Sequence, residues 1–360
     1  MGDRQTDTLV IGAGQCGLAV SRELALHGVE HAVVDGRAAP GDVWRDRWDT
    51  LRLFTPAHLS SLPGMPFPAP RRYLPRGSEF GGYLDEYAER FNVPLHPHTH
   101  VRGLKRTATG AGFTAETDEG AWLARRVVVA TGFATHPRIP TIGQDLDPSI
   151  AQLHSSAYHR PTDLPEGPVL VVGCGTSGVQ LGVELARSGR DVTVAGKPTP
   201  RVPRVVSDHA FGLLLAIFHH VFTRATPIGR GSVRDVIRGG GGPLIGISPE
   251  DLMAAGAARG ARLAGTRDGQ PDLEDGRVLT VSSVLWATGF RHDFTWIQDL
   301  PVDEDGLPRH TRGMSEDWAG LSFMGLPFQF ALSSMTIYGV GRDAAYVAAA
   351  LARSTGASAR

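Results

Sequence analysis

The chain has 360 residues, is 41% hydrophobic, and sets 36 Lys+Arg against 37 Asp+Glu for a formal net charge of −1. That length suits two or three domains with their own cores, and the even charge balance argues against a nucleic-acid partner or an anionic membrane surface. The two cysteines, Cys16 and Cys174, lie in no C-x-x-C motif and are too few for a disulfide framework, which fits a reducing, cytoplasmic setting.

Met1–Asp7 is polar and carries no signal-peptide pattern; its match to the bare N-myristoylation motif reads as a short leader before the first strand. Thr8–Ile11 predicts a strand, Gly12–Gly17 a turn, Leu18–His27 a helix stopped by Gly28, and Ala32–Val34 a second strand. The turn holds a G-x-G-x-x-G fingerprint, Gly12-Ala13-Gly14-Gln15-Cys16-Gly17. In such a fingerprint Gly12 permits the tight turn, Gly14 lets the backbone approach a pyrophosphate, and Gly17 lets helix pack on strand. Asp35, directly after the second strand, is placed to accept hydrogen bonds from a ribose. The motif does not separate FAD from NAD. Gly41-Asp42-Val43-Trp44-Arg45 follows, and Trp44 reads equally well as a cover for a flat ring or as a core residue.

Pro56–Pro75 reads as a long surface loop, Ser78–Phe91 as an amphipathic helix, and Leu104–Leu123 as a hairpin-rich insert with turns at Thr109-Gly110 and Glu119-Gly120. His96, His98 and His100 alternate, so a strand would place them on one face, but no cysteine or nearby acid completes a ligand set, so no metal is expected. Pro137–Pro168 reads as a linker containing His154.

A repeat of the first unit follows. Val169–Val172 predicts a strand, Gly173-Cys174-Gly175-Thr176-Ser177-Gly178 a second fingerprint, Val179–Ser188 a helix stopped by Gly189, and Val192–Val194 a strand. A second echo supports the duplication. Ala130-Thr131-Gly132-Phe133 and Ala287-Thr288-Gly289-Phe290 both close apolar runs, at similar distances past their fingerprints. Two repeated signals at one offset predict an α/β fold with two doubly wound, Rossmann-like dinucleotide-binding units.

The units are unequal. Counted from the first glycine of each, the position matching Asp35 is Gly196, followed by Lys197, Arg201 and Arg204. A carboxylate there would repel a 2′-phosphate and a cation attract it, so the second site is expected to prefer NADPH to NADH. Beyond it, the apolar run Ala210–Phe222, broken by His219 and His220, is shorter than the roughly 20 residues a membrane span needs and reads as a core or cleft-lining helix. Arg238–Pro243 is a glycine-rich break, Ala344–Ala352 a helical tail, and the end after Ser354 is expected to fray.

Taken together these motifs resemble the class B flavin-dependent monooxygenases, which include flavin-containing monooxygenases, plant indole-pyruvate monooxygenases and related bacterial proteins. The resemblance spans almost the whole chain in the family's order. Gly41-Asp42-Val43-Trp44 resembles G-G-x-W, Trp48-Asp49-Thr50-Leu51-Arg52-Leu53 resembles Y-D-x-L-R-L, and Leu62–Pro68 follows it. His154-Ser155-Ser156-Ala157-Tyr158 resembles the second half of the family's identifying motif, and Gly339–Ala344 its late glycine-aspartate segment. The chain departs from the family at Pro148-Ser149-Ile150, where F-x-G is usual, at His159-Arg160 after the motif tyrosine, and around Phe54-Thr55, which carries no asparagine.

The resemblance implies an NADPH domain (156–285) inserted into an FAD domain made of 1–155 and 286–360. It implies FAD contacts from Gly12, Gly14, Gln15, Cys16, Gly17, Asp35, Trp44, Arg52, Leu53, Val101, Thr131 and Gly132, with Gly341 and Asp343 setting a helix N-terminus at the flavin ring. It implies NADPH contacts from Gly173, Gly175, Thr176, Ser177, Gly178, Lys197, Arg201, Arg204 and Gly289, and places Arg52 and His154 at the cleft between the cofactors as candidate catalytic residues. The implied activity is insertion of one oxygen atom of O₂ into a small organic substrate through a flavin C4a-hydroperoxide. The chemistry belongs mainly to the cofactor. An NADPH oxidase or flavin reductase with the same cofactors is the alternative, and a non-enzymatic flavin sensor a weaker one. A disulfide reductase needs a redox-active cysteine pair that the chain lacks. Cleft walls are expected from 54–65, 211–222 and 324–337, whose apolar residues suit an apolar or aromatic substrate or ordinary core packing.

Overall fold

The structure is a computed structural model that describes residues 3–132, 134, 136–239 and 242–357. Phe133 of the first A-T-G-F, Gly240 and Gly241 of the glycine-rich break, and the last residues of the tail lie outside the described residues.

In chain order the first unit runs β1 (Arg4–Ile11), α1 (Gln15–Leu26), β2 (His31–Val34), α2 (Asp42–Arg45), α3 (Gly77–Arg90), β3 (Leu95–His96), β4 (Val101–Arg106), β5 (Phe113–Thr117) and β6 (Gly120–Val129). Strands β7 (His136–Pro137) and β8 (Ala151–His154) lead into β9 (Val169–Val172), α4 (Thr176–Arg187) and β10 (Val192–Ala195). Helices α5 (Arg204–His209), α6 (Phe211–His220), α7 (Pro227–Gly239) and α8 (Pro249–Ala254) precede β11 (Ala258–Gly260), β12 (Leu263–Arg267), β13 (Gln270–Leu273) and β14 (Ser283–Trp286). The chain ends with β15 (Phe290–Arg291), β16 (His310–Thr311), β17 (Met314–Ser315), β18 (Leu321–Phe323) and α9 (Ile337–Ala357).

Among the described residues, β3-β2-β1-β6-β18 run parallel within a nine-stranded sheet, and β11-β10-β9-β14-β8 form a second, wholly parallel sheet. Strands β9 and β14 are buried at every position, as parallel strands covered on both faces must be. The last strand and helix return to the first unit: β18 pairs with β6, and α9 joins α1 and α3 in one apolar cluster. A short antiparallel pair, His136–Pro137 with Phe290–Arg291, ties the segments that leave the two A-T-G-F turns.

Three expectations change. The stretch expected as a linker contributes β8 to the second sheet, parallel to β14, so that sheet begins at Ala151 rather than after Ser155. Only His154 of this edge strand is buried, so its sequence carries no apolar run. The helical tail starts at Ile337, which puts Gly341 and Asp343 inside α9 and not at its N-terminus. The alternating histidines do not share a strand face: the strand ends at His96, and His98 turns with φ 55°.

Candidate functional site

The two glycine turns have nearly the same geometry. Gly12 holds φ +106° and donates its N–H to Val34 O at 2.8 Å; Gly173 holds φ +123° and donates to Ala195 O at 2.8 Å. A Cβ on Gly12 would lie 2.5 Å from Ala130 O, and one on Gly173 would lie 2.3 Å from Ala287 O. At the third glycines the packing is tighter still, with a Cβ on Gly17 1.8 Å from Gly12 O and on Gly178 1.9 Å from Gly173 O. The middle glycines differ. Nothing lies within 4 Å of a Cβ on Gly14 or Gly175. These two positions head α1 and α4, so each helix N-terminus, with its unpaired N–H groups, opens on free space. That space fits a dinucleotide pyrophosphate.

Around the first turn, the Asp35 carboxylate accepts from Ala13 N at 2.6 Å and Arg37 N at 2.8 Å, while Thr99 N donates to Asp35 O at 2.8 Å. This fixes the carboxylate beside the turn and holds the start of β4, with half-buried Val101, near it. Trp44 Nε1 donates to Gln15 Oε1 at 3.2 Å and its ring stands edge-on to Phe80 at 5.0 Å. The tryptophan therefore belongs both to the core and to the head of α1. Leu53 is buried and bonded to Pro75 O, whereas Arg52 is exposed and donates to Leu74 O at 3.0 Å. Thr131 and Gly132 follow β6, exposed, and with His292, Phe294, Met324 and Gly325 they line a small pocket.

Cys16 is buried beside Gly325, whose Cβ would meet its sulfur at 3.1 Å. Burial, reinforced by the nearby Asp343 carboxylate, pushes its thiol up to about 12. Asp343 is 4% exposed, and burial raises its carboxyl against the opposing effects of Ser334, Arg342 and Arg312. Gly341 lets α9 approach Pro63, as a Cβ there would lie 2.8 Å from the proline Cγ. The wall segments also meet. Arg342 donates to His219 O at 2.5 Å and to Ser333 Oγ at 3.3 Å, and His219 Nδ1 lies 3.0 Å from the same hydroxyl. Helix α6 of the insert is thereby clamped to the first turns of α9.

In the second unit, Gly196 occupies the place of Asp35, and a Cβ there would come within 3.0 Å of Cys174 N, the counterpart of Ala13 N. Lys197 is exposed and has no ion pair among the described residues. The other two expected cations are engaged: Arg201 pairs with Glu250, and Arg204 with Asp251. Thr176 and Ser177 sit half-buried at the head of α4.

His154 does not stand free in a cleft. It is 4% exposed; Nε2 lies 3.0 Å from Gly289 O, and Nδ1 is occupied by Ser156 N at 3.1 Å and Ser156 Oγ at 2.9 Å. An acceptor Nδ1 and a donor Nε2–H satisfy all three contacts. Burial, with backing from nearby Arg47, holds the imidazole below its ordinary value and hence neutral. The residue ties the Gly289 turn to β8, and both ring nitrogens are engaged within the protein. Sequence reasoning also passed over three residues. Half-buried Arg47 places its guanidinium 5.5 Å over the Phe290 ring, Gln329 is buried with its amide oxygen accepting from Gly325 N at 3.0 Å, and Arg259 lies next to Cys174. No motif spacing marks any of them.

A family model described as pyridine nucleotide-disulphide oxidoreductase matches residues 9–209. The chain is 35% identical over 348 residues to a CzcO-like oxidoreductase of uncharacterized function from Geobacillus kaustophilus (strain HTA426), covering 95% of this chain and 97% of that one. It is 33% identical over 181 residues to a probable indole-3-pyruvate monooxygenase, YUCCA4, of Arabidopsis thaliana, covering 50% of this chain and 44% of that one. A solved flavin-containing monooxygenase from Stenotrophomonas maltophilia superposes with a TM-score of 0.78 at 25% identity, over 98% of this chain and 99% of that one. The chain belongs to this oxidoreductase family, in its class B flavin monooxygenase branch. It is a flavoprotein oxidoreductase of a pyridine-nucleotide-dependent family. The Gly14 and Gly175 openings each leave room for a pyrophosphate at a helix N-terminus. Both cysteines are free and buried, one in each glycine turn, so this member offers no dithiol. Among the described residues no group of three or more His, Cys, Asp or Glu side chains is placed to hold a metal, and no helix is long and apolar enough to cross a membrane.

Proposed function

We propose that this oxidoreductase is a monooxygenase that consumes NADPH and O₂ and places one oxygen atom on a small organic molecule. The observation that carries the cofactor assignment is the inequality of two matching turns. Asp35 stands beside the first, suited to a ribose; at the second, Gly196 removes the carboxylate and Lys197 supplies an exposed cation. FAD, when bound, supplies the electron transfer and oxygen activation that no side chain here offers.

The chain's own residues bind, orient and dry the site. The N-terminus of α1 and Asp35 hold the FAD phosphates and ribose, and the Gln15–Trp44 pair orders the mouth of that turn. The N-terminus of α4 holds the NADPH pyrophosphate, and His154 fixes the Gly289 turn beside it. The clamp of Arg342 on His219 O and Ser333 Oγ holds α6 against α9, where the helix would shield the site from water. An apolar or aromatic substrate suits these walls.

The test is the fate of oxygen. The purified protein, supplied with NADPH, ¹⁸O₂ and a panel of amines, thioethers, ketones and aromatic 2-oxo acids, is expected to put one labelled atom into a product, with NADPH consumed in step. Peroxide release matching all NADPH consumed, across the whole panel, would overturn the reading in favour of an oxidase.

A further inference from the structure

We propose that Arg259, on β11 and more than eighty residues past the second fingerprint, is the side chain that with Lys197 reads the 2′-phosphate of the nucleotide, and that Arg201 and Arg204 are not. This rests on the NADPH reading above and names the group that enforces it.

Strand register places Arg259. β11 runs parallel to β10, with Arg259 opposite Val194 and Gly260 opposite Ala195, the last residue of β10 before Gly196. Residues paired across parallel strands present side chains to the same face. Val194 faces α4, because a Cβ on Gly182 of that helix would meet it at 2.5 Å. Arg259 therefore extends over the same face, toward the head of the fingerprint helix. There its guanidinium reaches the Cys174 thiol, and with Cys174, Thr199, Leu244 and Pro249 it lines a small pocket. Thr199, in the same lining, donates to Cys174 O at 2.7 Å. Thus the second glycine turn, the loop after β10 and Arg259 of β11 converge at one spot, beside Gly196, the counterpart of Asp35 in the first unit.

Charge decides among the cations. Arg201 and Arg204 are held by Glu250 and Asp251, and an anion arriving at either would have to displace or share with a carboxylate. Arg259 is half-buried and has no ion pair among the described residues. A half-buried guanidinium with no carboxylate, within reach of a loop that lacks the ribose-binding acid, suits a phosphate dianion. It offers nothing comparable to a bare 2′-hydroxyl.

The experiment measures binding of 2′,5′-ADP and 5′-AMP by calorimetry to the FAD-loaded protein and to R259Q, R259K, K197A and R201A/R204A variants, with a thermal melt of each. Wild type is expected to bind 2′,5′-ADP far more tightly than 5′-AMP. R259Q should lose roughly tenfold or more for 2′,5′-ADP, the cost of one charge-assisted contact, with 5′-AMP unchanged. R259K should recover part of that loss, and R201A/R204A should stay within about threefold of wild type. Loss of both ligands together with a lowered melt in R259Q, unrelieved in R259K, would mean a merely structural role and would overturn the inference. So would a double variant as impaired as R259Q. If wild type itself shows no preference for 2′,5′-ADP, the NADPH reading fails first and the inference with it.

Discussion

Ala13 N donates to the Asp35 carboxylate at 2.6 Å, joining the first glycine turn to the end of the second strand. The second unit cannot repeat this bond, for Gly196 has no side chain and a Cβ there would crowd Cys174 N at 3.0 Å. One duplicated frame thus carries two chemically different mouths.

Asp35→Ala removes a charge-assisted bond to the turn and the acceptor for a ribose. The expected cost is roughly 1.5–3 kcal/mol in FAD affinity, about tenfold to over a hundredfold, with NADP⁺ binding to the second unit little changed. Retention of FAD through gel filtration checks the first half and calorimetry the second. Unaltered FAD retention would contradict the assignment.

Gly12→Ala and Gly173→Ala should damage folding rather than binding alone. Each forces an L residue into φ above +100°, a strain of roughly 1–3 kcal/mol, and drives a Cβ to within 2.5 Å or less of a backbone carbonyl oxygen. Lower soluble yield and a depressed melting temperature are expected, with both ligands affected.

Stability should fall as pH drops below the ordinary histidine value of 6.5. Burial lowers His154, and it lowers His219 and His310 to about 4, so the unfolded chain takes up protons that the folded chain refuses. The stabilisation from these groups is complete above 6.5 and drains away as pH falls toward 4. Asp343 has the opposite sign: its carboxyl is raised by burial, so it favours the fold when protonated and opposes it as pH rises through its folded value. Melting temperature against pH, compared in wild type and H219N, should show a shallower acid limb in the variant. Parallel curves would contradict the role of His219.

Arg342→Ala opens the clamp between α6 and α9 by removing the bonds to His219 O and Ser333 Oγ. The expected loss is roughly 1–3 kcal/mol of local stability, read as faster limited proteolysis within 211–226. FAD content should persist, and peroxide release per NADPH should rise as water gains access. Unchanged proteolysis would show that the clamp does not hold α6.

The duplication was legible because glycines needed for positive φ and close packing cannot be replaced by other residues, and both turns kept them in step with Asp35 and the A-T-G-F echoes. Strand β8 was not legible: Ala151-Gln152-Leu153-His154 lies at a sheet edge and buries one side chain. The start of α9 was hidden by Gly339 and Gly341, residues that disfavour a helix interior. The fold requires them there, since a Cβ on Gly339 would lie 2.0 Å from Ser333 O and one on Gly341 2.8 Å from Pro63 Cγ. The second site was read in part. Lys197 follows its strand directly, but Glu250 and Asp251, which engage Arg201 and Arg204, and Arg259, which lies beside Cys174, arrive through tertiary packing that local spacing does not encode. The motif around His154 does not show its burial, because its bond to Gly289 O reaches a turn residue 135 positions away.

If two like turns hold two different dinucleotides, substitutions at their open glycines should separate the two functions. Gly14→Ala and Gly175→Ala each place a methyl group in open space, so both variants should fold. Gly175→Ala is expected to purify yellow with bound FAD but to be bleached by NADPH, without air, far more slowly than wild type, and Gly14→Ala is expected to lose its FAD. A Gly175→Ala protein that bleaches at the wild-type rate, or that purifies colourless while Gly14→Ala stays yellow, would contradict this separation.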